Sequence, residues 1–548
     1  MIDRATRRAS IAPSRALPRL RRRRSESRPT DVRTLKGGAS RPAIWLRAMI
    51  FAPLATVASG IVFLNLVGIA FQLWSSAPKS PWDAALTVVA ARRLQALPIY
   101  SDAASDQAST MYGPIVPILT SWLFQIFGVS NRAGKLLTLT ASLCVVGLVL
   151  VATARRDLRT WIVAGALLFT CNHNARFYFV EARPDMVAAL FAVVALFLFA
   201  AWEQHRRVVA LVGSVAFFVL TFFTKQPLAA VALVPFCAEA FRPGRMSRDR
   251  AATFLVAALP LVAVFLAILC LLGIDPMAFR YMVALPAEYP VPPMRVLQLA
   301  CSTALLSAPM LLLALGLAQD CLRSDTRTRW WAAATTVFFV SGVVAMSKDG
   351  GTWNSLLPFT LASSGLLTLQ IPQALTLLDH AAVLVRDRVV VSVVLAAILA
   401  TIALPRPADL RWDVVGVHGD RRYDSVVTLA RNLPGLLRCP EDPTIPLLAR
   451  GEITRSAYLE MDFAHWPIQL PAGVEHDIGA ARFLIQVRGG LPLLTDDELT
   501  RRGFVPVKAD GLPEGGAYRL WTRATESEWA QKEASRDREP GPAVTPTR

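Results

Sequence analysis

Long runs of apolar residues, separated by short polar turns, occupy most of the chain between residues 44 and 404. A membrane-spanning helix needs about twenty predominantly apolar residues. About eleven segments approach that length, so the pattern predicts an all-α polytopic membrane protein with about eleven transmembrane helices. The predicted spans are 44–73, 134–154, 160–179, 184–202, 208–223, 226–241, 252–272, 297–318, 330–347, 353–371 and 388–404.

One further apolar stretch, residues 111–128, has two interpretations. It could be a twelfth span, or a helix that lies at the membrane surface. Counting it as a span would reverse the side on which every later turn lies, and would break the charge pattern described next. We therefore predict a surface helix.

The arginines indicate the orientation of the spans, because short cytoplasmic turns are enriched in Lys and Arg. With the N-terminus inside, every short inner turn carries at least two arginines. This pattern predicts a cytoplasmic N-terminus and places residues 405–548 on the outer side of the membrane. The inner-turn arginines are Arg155, Arg156, Arg159, Arg206, Arg207, Arg242, Arg245, Arg248, Arg250, Arg323, Arg327, Arg329, Arg386 and Arg388.

The segment after the last predicted span has shorter apolar runs, with Pro, Gly and Asp between them. Residues 424–437 have a helical pattern, and four runs are typical of short strands: PTIPLLA, ARFLIQV, GFVPVKA and AYRLWTR. We therefore predict four regions: a disordered basic tail over 1–43, a membrane domain over 44–404, a small α/β extracytoplasmic domain over 405–524 and a disordered tail over 525–548.

The composition supports a membrane protein and argues against a nucleic-acid partner. Of 548 residues, 54% are hydrophobic, which is more apolar surface than a soluble protein can bury. The net charge of +18 is concentrated in the first 43 residues, which include Arg21–Arg24. Such a cluster beside a first span attracts anionic lipid headgroups. The seven cysteines form no CxxC pair, so neither a zinc site nor a disulfide framework is predicted.

Charged residues recur in the turns predicted to lie on the outer side. Ionisable groups near membrane depth are costly, so they usually have a partner or a function. For any one of them, an ordinary interfacial loop charge is an equally good interpretation. The set comprises Asp83, Asp102, Asp106, Glu181, Arg183, Asp185, Lys225, Arg280, Glu288, Arg295, Lys348, Asp349 and Asn354.

Three segments of this set have specific chemical interpretations. Asp83 and Asp185 could act as a base and its orienting partner, because burial at a lipid boundary raises a carboxyl pKa towards neutrality. Arg183 could bind a phosphate, or simply form a salt bridge with Asp185 at a helix start. Lys225 has no acidic residue near it in the sequence, so a lipid phosphate is its natural anion. Nucleotide-binding, HExxH and GxSxG motifs are absent from the sequence.

In order and spacing, these motifs resemble the GT-C membrane glycosyltransferases. This group contains protein O-mannosyltransferases, lipid A aminoarabinose transferases and lipopolysaccharide-core galacturonosyl transferases. The resemblance covers roughly residues 60–372. Its motifs are Asp83 after the first span, Ile99–Gly128, EARPDM, TKQPL, the element Lys348–Pro358 and, beyond that range, EDPTIPLLA (Glu441–Ala449).

The resemblance implies transfer of a sugar from a polyprenyl-phosphate donor to an envelope glycan, lipid or protein, at the outer face of a bacterial inner membrane. It implies that Asp83 deprotonates the acceptor and that Asp185 is the second acid of the site. Lys225 and Arg183 are implied as ligands of the carrier phosphate, with Lys348 as a further candidate.

The sequence also departs from the pattern of this family. Many members have two adjacent acids after the first span, whereas Ala84 follows Asp83 here. No cofactor is required by the sequence, and a divalent cation such as Mg²⁺ or Mn²⁺ would need Asp102 or Asp106 to join Asp83. Many members also carry a Pro-Pro element where this chain has Met111–Pro114.

Two other classes of function remain open. A transporter or flippase of lipid-linked sugars would also need charged groups near lipid phosphates. Transporters place such groups near mid-membrane between paired repeats, whereas this chain shows no repeat and predicts its charges at one membrane face. A non-catalytic scaffold that recruits partners through residues 405–548 is the other alternative.

Overall fold

The structure is a computed structural model. It describes residues 41–104, 106–153, 175–241, 276–305, 326–381, 422–464, 470–488, 494–509 and 516–524, with the single residues 265, 267, 393 and 512. Residues 1–40 and 525–548 of the predicted tails lie outside the described residues. So do the predicted spans 252–272, apart from residues 265 and 267, and 388–404, apart from residue 393. Most of 160–179 and of 297–318 also lies outside the described residues.

The described N-terminal part is helical. Its elements are α1 (Arg41–Trp74), α2 (Pro81–Leu94), α3 (Ile115–Phe127), α4 (Asn131–Thr153), α5 (Ala175–Val180), α6 (Asp185–His205), α7 (Val208–Phe222), a 3₁₀ helix (Gln226–Leu233), α8 (Val234–Ala240), α9 (Pro276–Phe279), a π-helical turn (Arg280–Ala284), α10 (Leu285–Glu288), a helix over 293–305, α11 (Thr326–Ser347), a 3₁₀ turn (Trp353–Leu356) and α12 (Leu357–Ala381).

Within the described residues, four helical segments are long and apolar enough to cross a membrane. They agree with four of the predicted spans. The predicted span 208–223 forms a shorter helix of 15 residues, and 226–241 divides into the 3₁₀ helix and α8. The four long segments are Ala52–Trp74, Asn131–Thr153, Asp185–His205 and Thr326–Ser347.

The ambiguous stretch 111–128 contains α3, which has 13 residues. At 1.5 Å per residue this helix is about 20 Å long, which is short for the hydrocarbon core of a bilayer. Its length favours the predicted surface helix over a twelfth span.

Small residues bring the long helices together. On α6, Ala188, Ala192 and Ala195 are buried at helical spacing, and side chains of this size let neighbouring helices approach closely inside a membrane. Ser214 of α7 donates to the carbonyl of Ala195 at 2.8 Å. Ser142 of α4 donates to the carbonyl of Phe179 at 2.9 Å, so side-chain hydrogen bonds join α6 to α7 and α4 to α5.

The C-terminal region contains a four-stranded sheet and short helices. Strand β1 pairs with β2 in parallel, and the pairs β2–β4 and β4–β3 are antiparallel, giving the order β1-β2-β4-β3. The elements are a helix over 422–432, β1 (Leu437–Arg438), α13 (Thr444–Arg450), α14 (Ala457–Phe463), α15 (Ala472–Ala480), β2 (Phe483–Val487), α16 (Asp496–Arg501), β3 (Phe504–Val507) and β4 (Tyr518–Arg523).

Three of the four predicted strands are confirmed, and the prediction for PTIPLLA is wrong. That segment forms the helix α13, which Gly451 ends at a φ of +73°. A short apolar run has the same pattern in a buried helix and a buried strand, and Pro446 is tolerated because it lies in the first turn. The predicted helix 424–437 ends earlier, at residue 432, before Pro434 and Gly435.

Helices α13 and α14 of the C-terminal region pack against α2. Leu447 of α13 lies in one apolar cluster with Val88 and Ala91 of α2. Asn131, at the start of α4, donates to the Tyr423 hydroxyl at 3.2 Å and to the Ser76 carbonyl at 3.0 Å. These contacts place the C-terminal region beside the turns that carry the candidate site.

Candidate functional site

Asp83 is held in the first turn of α2 and is fully buried. The Ser80 hydroxyl caps this helix by accepting from the Asp83 backbone N–H at 3.2 Å, as an N-cap serine commonly does. The Lys79 backbone N–H donates to Asp83 Oδ2 at 2.9 Å. Asp83 Oδ1 has no hydrogen-bond partner among the described residues. Burial raises the pKa of this carboxyl above its usual range, although Lys135 and Lys79 oppose the rise.

The EARPDM turn between α5 and α6 buries three further charges: Glu181, Arg183 and Asp185. The Arg183 guanidinium lies between the two carboxylates, with Nη1 3.7 Å from Glu181 Oε1 and Nε 3.6 Å from Asp185 Oδ2. Pro184 precedes the helix, so Asp185 occupies the first turn of α6. There the N–H groups at the helix start favour a carboxylate.

Glu181 connects this turn to the start of α2. The Ser80 hydroxyl, which also caps α2, donates to Glu181 Oε1. Burial raises the pKa of Glu181 to about 7, with Arg183 and Ser80 acting in the opposite direction. One serine therefore joins the segment that holds Asp83 to the segment that holds Arg183.

Lys225 follows α7 and forms a buried ion pair with Asp185. The sequence-based argument that Lys225 lacks an acidic partner therefore holds only along the chain, because Asp185 lies 40 residues away in sequence. An ammonium group has three donors, and Asp185 accepts one of them. We call Asp83, Glu181, Arg183, Asp185 and Lys225 the buried charge cluster.

Two aromatic side chains lie against the cations of the buried charge cluster. Tyr112 accepts a hydrogen bond from Arg183 Nη2 at 2.8 Å, and its ring centroid is 5.8 Å from Lys225 Nζ. The Trp82 ring centroid is 5.6 Å from Arg183 Cζ, within the range of cation–π attraction. Sequence reasoning missed both residues, although each is adjacent in sequence to a recognised motif or residue.

Gly113 explains how Tyr112 reaches the cluster. A Cβ at this position would lie 1.7 Å from the Phe223 carbonyl oxygen, so only glycine fits. The Gly113 N–H donates to the Thr224 carbonyl at 3.3 Å. This close backbone approach brings Tyr112 beside Lys225, and the Gly-Pro pair was the available sequence signal.

Lys348, the weaker phosphate candidate, lies in a different environment from Arg183 and Lys225. Its ammonium donates to the Pro286 carbonyl at 2.6 Å, and the neighbouring Asp349 forms a 2.8 Å ion pair with Arg295. In the described part of the chain, Lys348 forms no ion pair with the buried charge cluster. Its predicted role in binding phosphate stays a prediction.

Asp106, one of the two candidate metal ligands, lies at the other end of α2 from Asp83. Its carboxylate binds Arg92 at 2.5 and 3.4 Å, and Arg92 is nine residues, or about 13 Å of helix, beyond Asp83. Asp102 Oδ1 accepts from the Ala104 N–H at 3.2 Å. No group of three His, Cys, Asp or Glu side chains suited to a metal occurs in the described ranges, so within them Asp102 and Asp106 do not join Asp83 in a site that fits Mg²⁺ or Mn²⁺.

The buried charge cluster combines three carboxylates with two cations on separate segments of the chain. Besides Asp83 Oδ1, the buried atoms Glu181 Oε2, Arg183 Nε and Asp185 Oδ2 have no hydrogen-bond partner among the described residues. Arg183 Nε and Asp185 Oδ2 face each other at 3.6 Å as an ion pair. Buried polar atoms are usually paired, so Asp83 Oδ1 and Glu181 Oε2 favour a ligand. In such an arrangement a carboxylate can accept a proton, and the two cations can stabilise an anionic leaving group.

Comparisons with known proteins support the fold. No protein-family model and no curated protein matches the chain. Two solved structures of the GT-C glycosyltransferase ArnT from Cupriavidus metallidurans do match it. The structure bound to undecaprenyl phosphate has a TM-score of 0.52 at 14% identity, covering 85% of this chain and 98% of that one. The apo structure has a TM-score of 0.54 at 13% identity, covering 85% and 97%.

These matches confirm the predicted GT-C fold of a multi-pass membrane protein. The four long apolar helices within the described residues agree with that assignment. At 13–14% identity the likeness concerns the fold, and the function must be argued from the site.

Proposed function

From the GT-C fold as its premise, we propose that this protein transfers a sugar from a polyprenyl-phosphate-linked donor to an envelope glycan, lipid or protein. The reaction takes place at the outer face of the bacterial inner membrane, with the N-terminus in the cytoplasm. The observation that carries the proposal is Asp83, a buried carboxylate with one oxygen that has no hydrogen-bond partner among the described residues. Ser80 joins its segment to Glu181, in the turn that holds Arg183. The undecaprenyl phosphate bound to ArnT supports a lipid phosphate as the donor headgroup.

In the proposed reaction, Asp83 accepts the proton of the acceptor hydroxyl. The acceptor oxygen bonds to the anomeric carbon as the bond from that carbon to the donor phosphate breaks. The polyprenyl phosphate leaves with the bonding electrons, so one displacement inverts the anomeric centre. A base that is buried and correctly placed contributes about 10²–10⁴-fold to such a step.

Arg183 and Lys225 stabilise the negative charge that develops on the departing phosphate. Preorganised cations in a water-excluded site act strongly on such charge. Asp185 accepts one Lys225 donor and so fixes the ammonium, while further donors on both cations are available to phosphate oxygens. Tyr112 holds the Arg183 guanidinium through its hydroxyl. The scheme contains no step through a metal ion.

The test is sugar transfer by inverted and right-side-out vesicles, with total lipid-linked sugars as donor. Wild type is compared with Asp83→Ala and Lys225→Ala, and with Asp349→Ala as a matched exposed-aspartate control (side chain 56% exposed). We expect transfer on the outer face, its loss in the first two variants and its retention in the control. Thermal melting in detergent checks that each variant folds.

Two outcomes would contradict the proposal. Transfer that is equal in wild type, Asp83→Ala and Lys225→Ala would rule out catalysis at this site. Movement of lipid-linked sugar across the membrane without transfer would instead favour the transporter. A chelator added to wild-type vesicles separately tests whether a divalent cation such as Mg²⁺ or Mn²⁺ takes part.

A further inference from the structure

Helix α14 of the C-terminal region lies against two segments near the buried charge cluster. Glu460 Oε1 accepts from the Ala108 N–H at 2.8 Å. The Tyr289 hydroxyl donates to the Asp462 carbonyl at 2.6 Å. The Phe463 ring packs on Tyr281 with centroids 5.4 Å apart. These contacts hold α14 in a defined position relative to residues 99–109 and 276–289.

The side chain of Asp462 binds the residue that precedes Asp83. Trp82 Nε1 donates to Asp462 Oδ2 at 3.2 Å. The same indole also forms the cation–π pair with Arg183, whose Cζ lies 5.6 Å from the ring centroid. The Tyr458 ring, also on α14, packs on the indole with centroids 5.4 Å apart. Residues from the C-terminal region therefore fix one face and one edge of Trp82.

We infer that Asp462 is a positioning residue for the proposed transfer: it holds the Trp82 indole against Arg183 and so sets the position of the Arg183 guanidinium in the buried charge cluster. The inference rests on the proposed function. It goes beyond that function because it assigns the C-terminal region a part in the reaction.

The physical reason is the limited freedom of the indole. Trp82 precedes Asp83 in the first turn of α2 and lies against Arg183, so a rotation of the indole would disturb the cation beside it. The Trp82 Nε1–Asp462 Oδ2 hydrogen bond, 3.2 Å long, becomes charge-assisted and stronger when the Asp462 carboxyl is ionised. It restrains both side-chain dihedral angles of the tryptophan while Asp462 contacts no reacting atom in the proposed scheme.

A double-mutant cycle on the full-length protein tests this role. Trp82→Phe keeps an aromatic ring beside Arg183 and removes the Nε1 donor, and Asp462→Leu removes the acceptor. We measure kcat and KM for transfer from undecaprenyl-phosphate-linked sugars in reconstituted vesicles. Each single variant should lower kcat about tenfold, and the double variant should fall no further than about threefold below either one. Asp462→Asn, which keeps an acceptor oxygen, should regain part of the lost kcat.

Glu460→Gln provides the matched control, because Glu460 anchors the same helix without contacting Trp82. In the double variant Glu460→Gln with Trp82→Phe, the fold-loss in kcat should equal the product of the two single losses, since the two sites are independent. The inference is wrong if the kcat losses of Asp462→Leu and Trp82→Phe also combine as a product. It is equally wrong if Glu460→Gln is coupled to Trp82→Phe as strongly as Asp462→Leu is. In either case α14 packs against the site without positioning Trp82.

A second readout separates failure of this inference from failure of the proposed function. The ¹⁹F spectrum of 5-fluorotryptophan-labelled protein contains a Trp82 resonance, which Trp82→Phe identifies by its absence. We expect Asp462→Leu to shift this resonance and Glu460→Gln to leave it in place. An unmoved resonance overturns the positioning role. If the wild-type protein transfers no sugar but Asp462→Leu still shifts the Trp82 resonance, the proposed function is wrong and only the structural contact remains.

Discussion

The buried charge cluster and the ion pairs of the C-terminal region use the same residue types in opposite environments. The five residues of the cluster are between 0 and 7% exposed. In the C-terminal region, Asp496 pairs with Arg488 and Arg519, while Arg502 pairs with Glu475 and Glu498. Those side chains are 25–42% exposed.

This difference in burial determines how strongly each group of charges affects stability and reactivity. Water screens the exposed pairs, so each contributes little to stability. In the cluster, low polarisability of the surroundings strengthens every interaction and makes an unpaired group costly. The exposed acids have arginine partners, whereas Asp83 Oδ1 and Arg183 Nε are buried without hydrogen-bond partners among the described residues. We therefore expect substitutions in the cluster to have large effects on transfer, and substitutions in the exposed pairs to have small ones.

The largest effect is expected from Asp83→Asn, which keeps the shape of the base and removes its proton affinity. Transfer should fall by about 10²–10⁴-fold, the usual contribution of a general base. In wild type, burial raises the pKa of Asp83, so activity should decline with falling pH earlier than for an ordinary aspartate. Initial rates across a pH series measure both effects. A wild-type transfer rate in Asp83→Asn would show that the buried charge cluster does not supply the base for transfer.

The next largest effect is expected from Lys225→Met, which leaves Asp185 buried without its ammonium partner. Breaking a buried pair in this way costs about 3–5 kcal/mol of stability. The double variant Lys225→Met with Asp185→Asn removes both charges and should recover most of that loss. Transfer should stay low in both variants, because neither retains the Lys225 ammonium that binds the phosphate beside Arg183. Thermal melting and transfer assays on the same preparations separate stability from function, and recovered transfer in the double variant would contradict the role of Lys225.

The sequence predicted the outline of the membrane part because its signals are local or ordered along the chain. Apolar length predicted the four long helices, and the order of motifs predicted the GT-C fold that the ArnT structures confirm. The run PTIPLLA was misassigned as a strand because a mainly apolar run of seven residues cannot distinguish a strand from a buried helix.

The candidate site was predictable only in part, since its contacts join distant segments. Asp83, Arg183, Asp185 and Lys225 were selected because they lie in turns on one predicted side of the membrane. Two residues on the same side of the membrane can still be far apart. Asp106 was therefore grouped with Asp83 although it binds Arg92 at the far end of α2. The contact between Trp82 and Asp462 spans 380 residues, and no periodicity or motif could have indicated it.

Glu181 should make the stability of the protein depend on pH, and this effect is expected to be intermediate in size. Its pKa rises from 4.5 to about 7 on folding, so between these values the folded chain holds a proton that the unfolded chain has lost. Its contribution to stability is therefore fully present below pH 4.5 and is lost as the pH rises through 7, a change of about 3 kcal/mol. Glu181→Gln should remove this slope while keeping an acceptor for Ser80.

The difference between wild type and Glu181→Gln must be used for this test, rather than wild type alone. Burial also raises the pKa values of Asp442 and Asp462 to about 7, and these groups titrate in both proteins. Melting temperatures from pH 4 to pH 8 provide the two curves. Parallel curves would show that Glu181 titrates as an ordinary exposed carboxyl.

The smallest effect is expected from Arg502→Ala in the exposed ion pairs. Arg502 bridges Glu475 and Glu498, yet its loss should cost at most about 1 kcal/mol because water already screens these charges. High salt should shrink even that difference, whereas salt should barely change the cost of Lys225→Met, whose charges lie out of reach of mobile ions. Melting at low and high ionic strength measures both. If Arg502→Ala proves as costly as Lys225→Met and as insensitive to salt, burial is not what separates the two groups of charges.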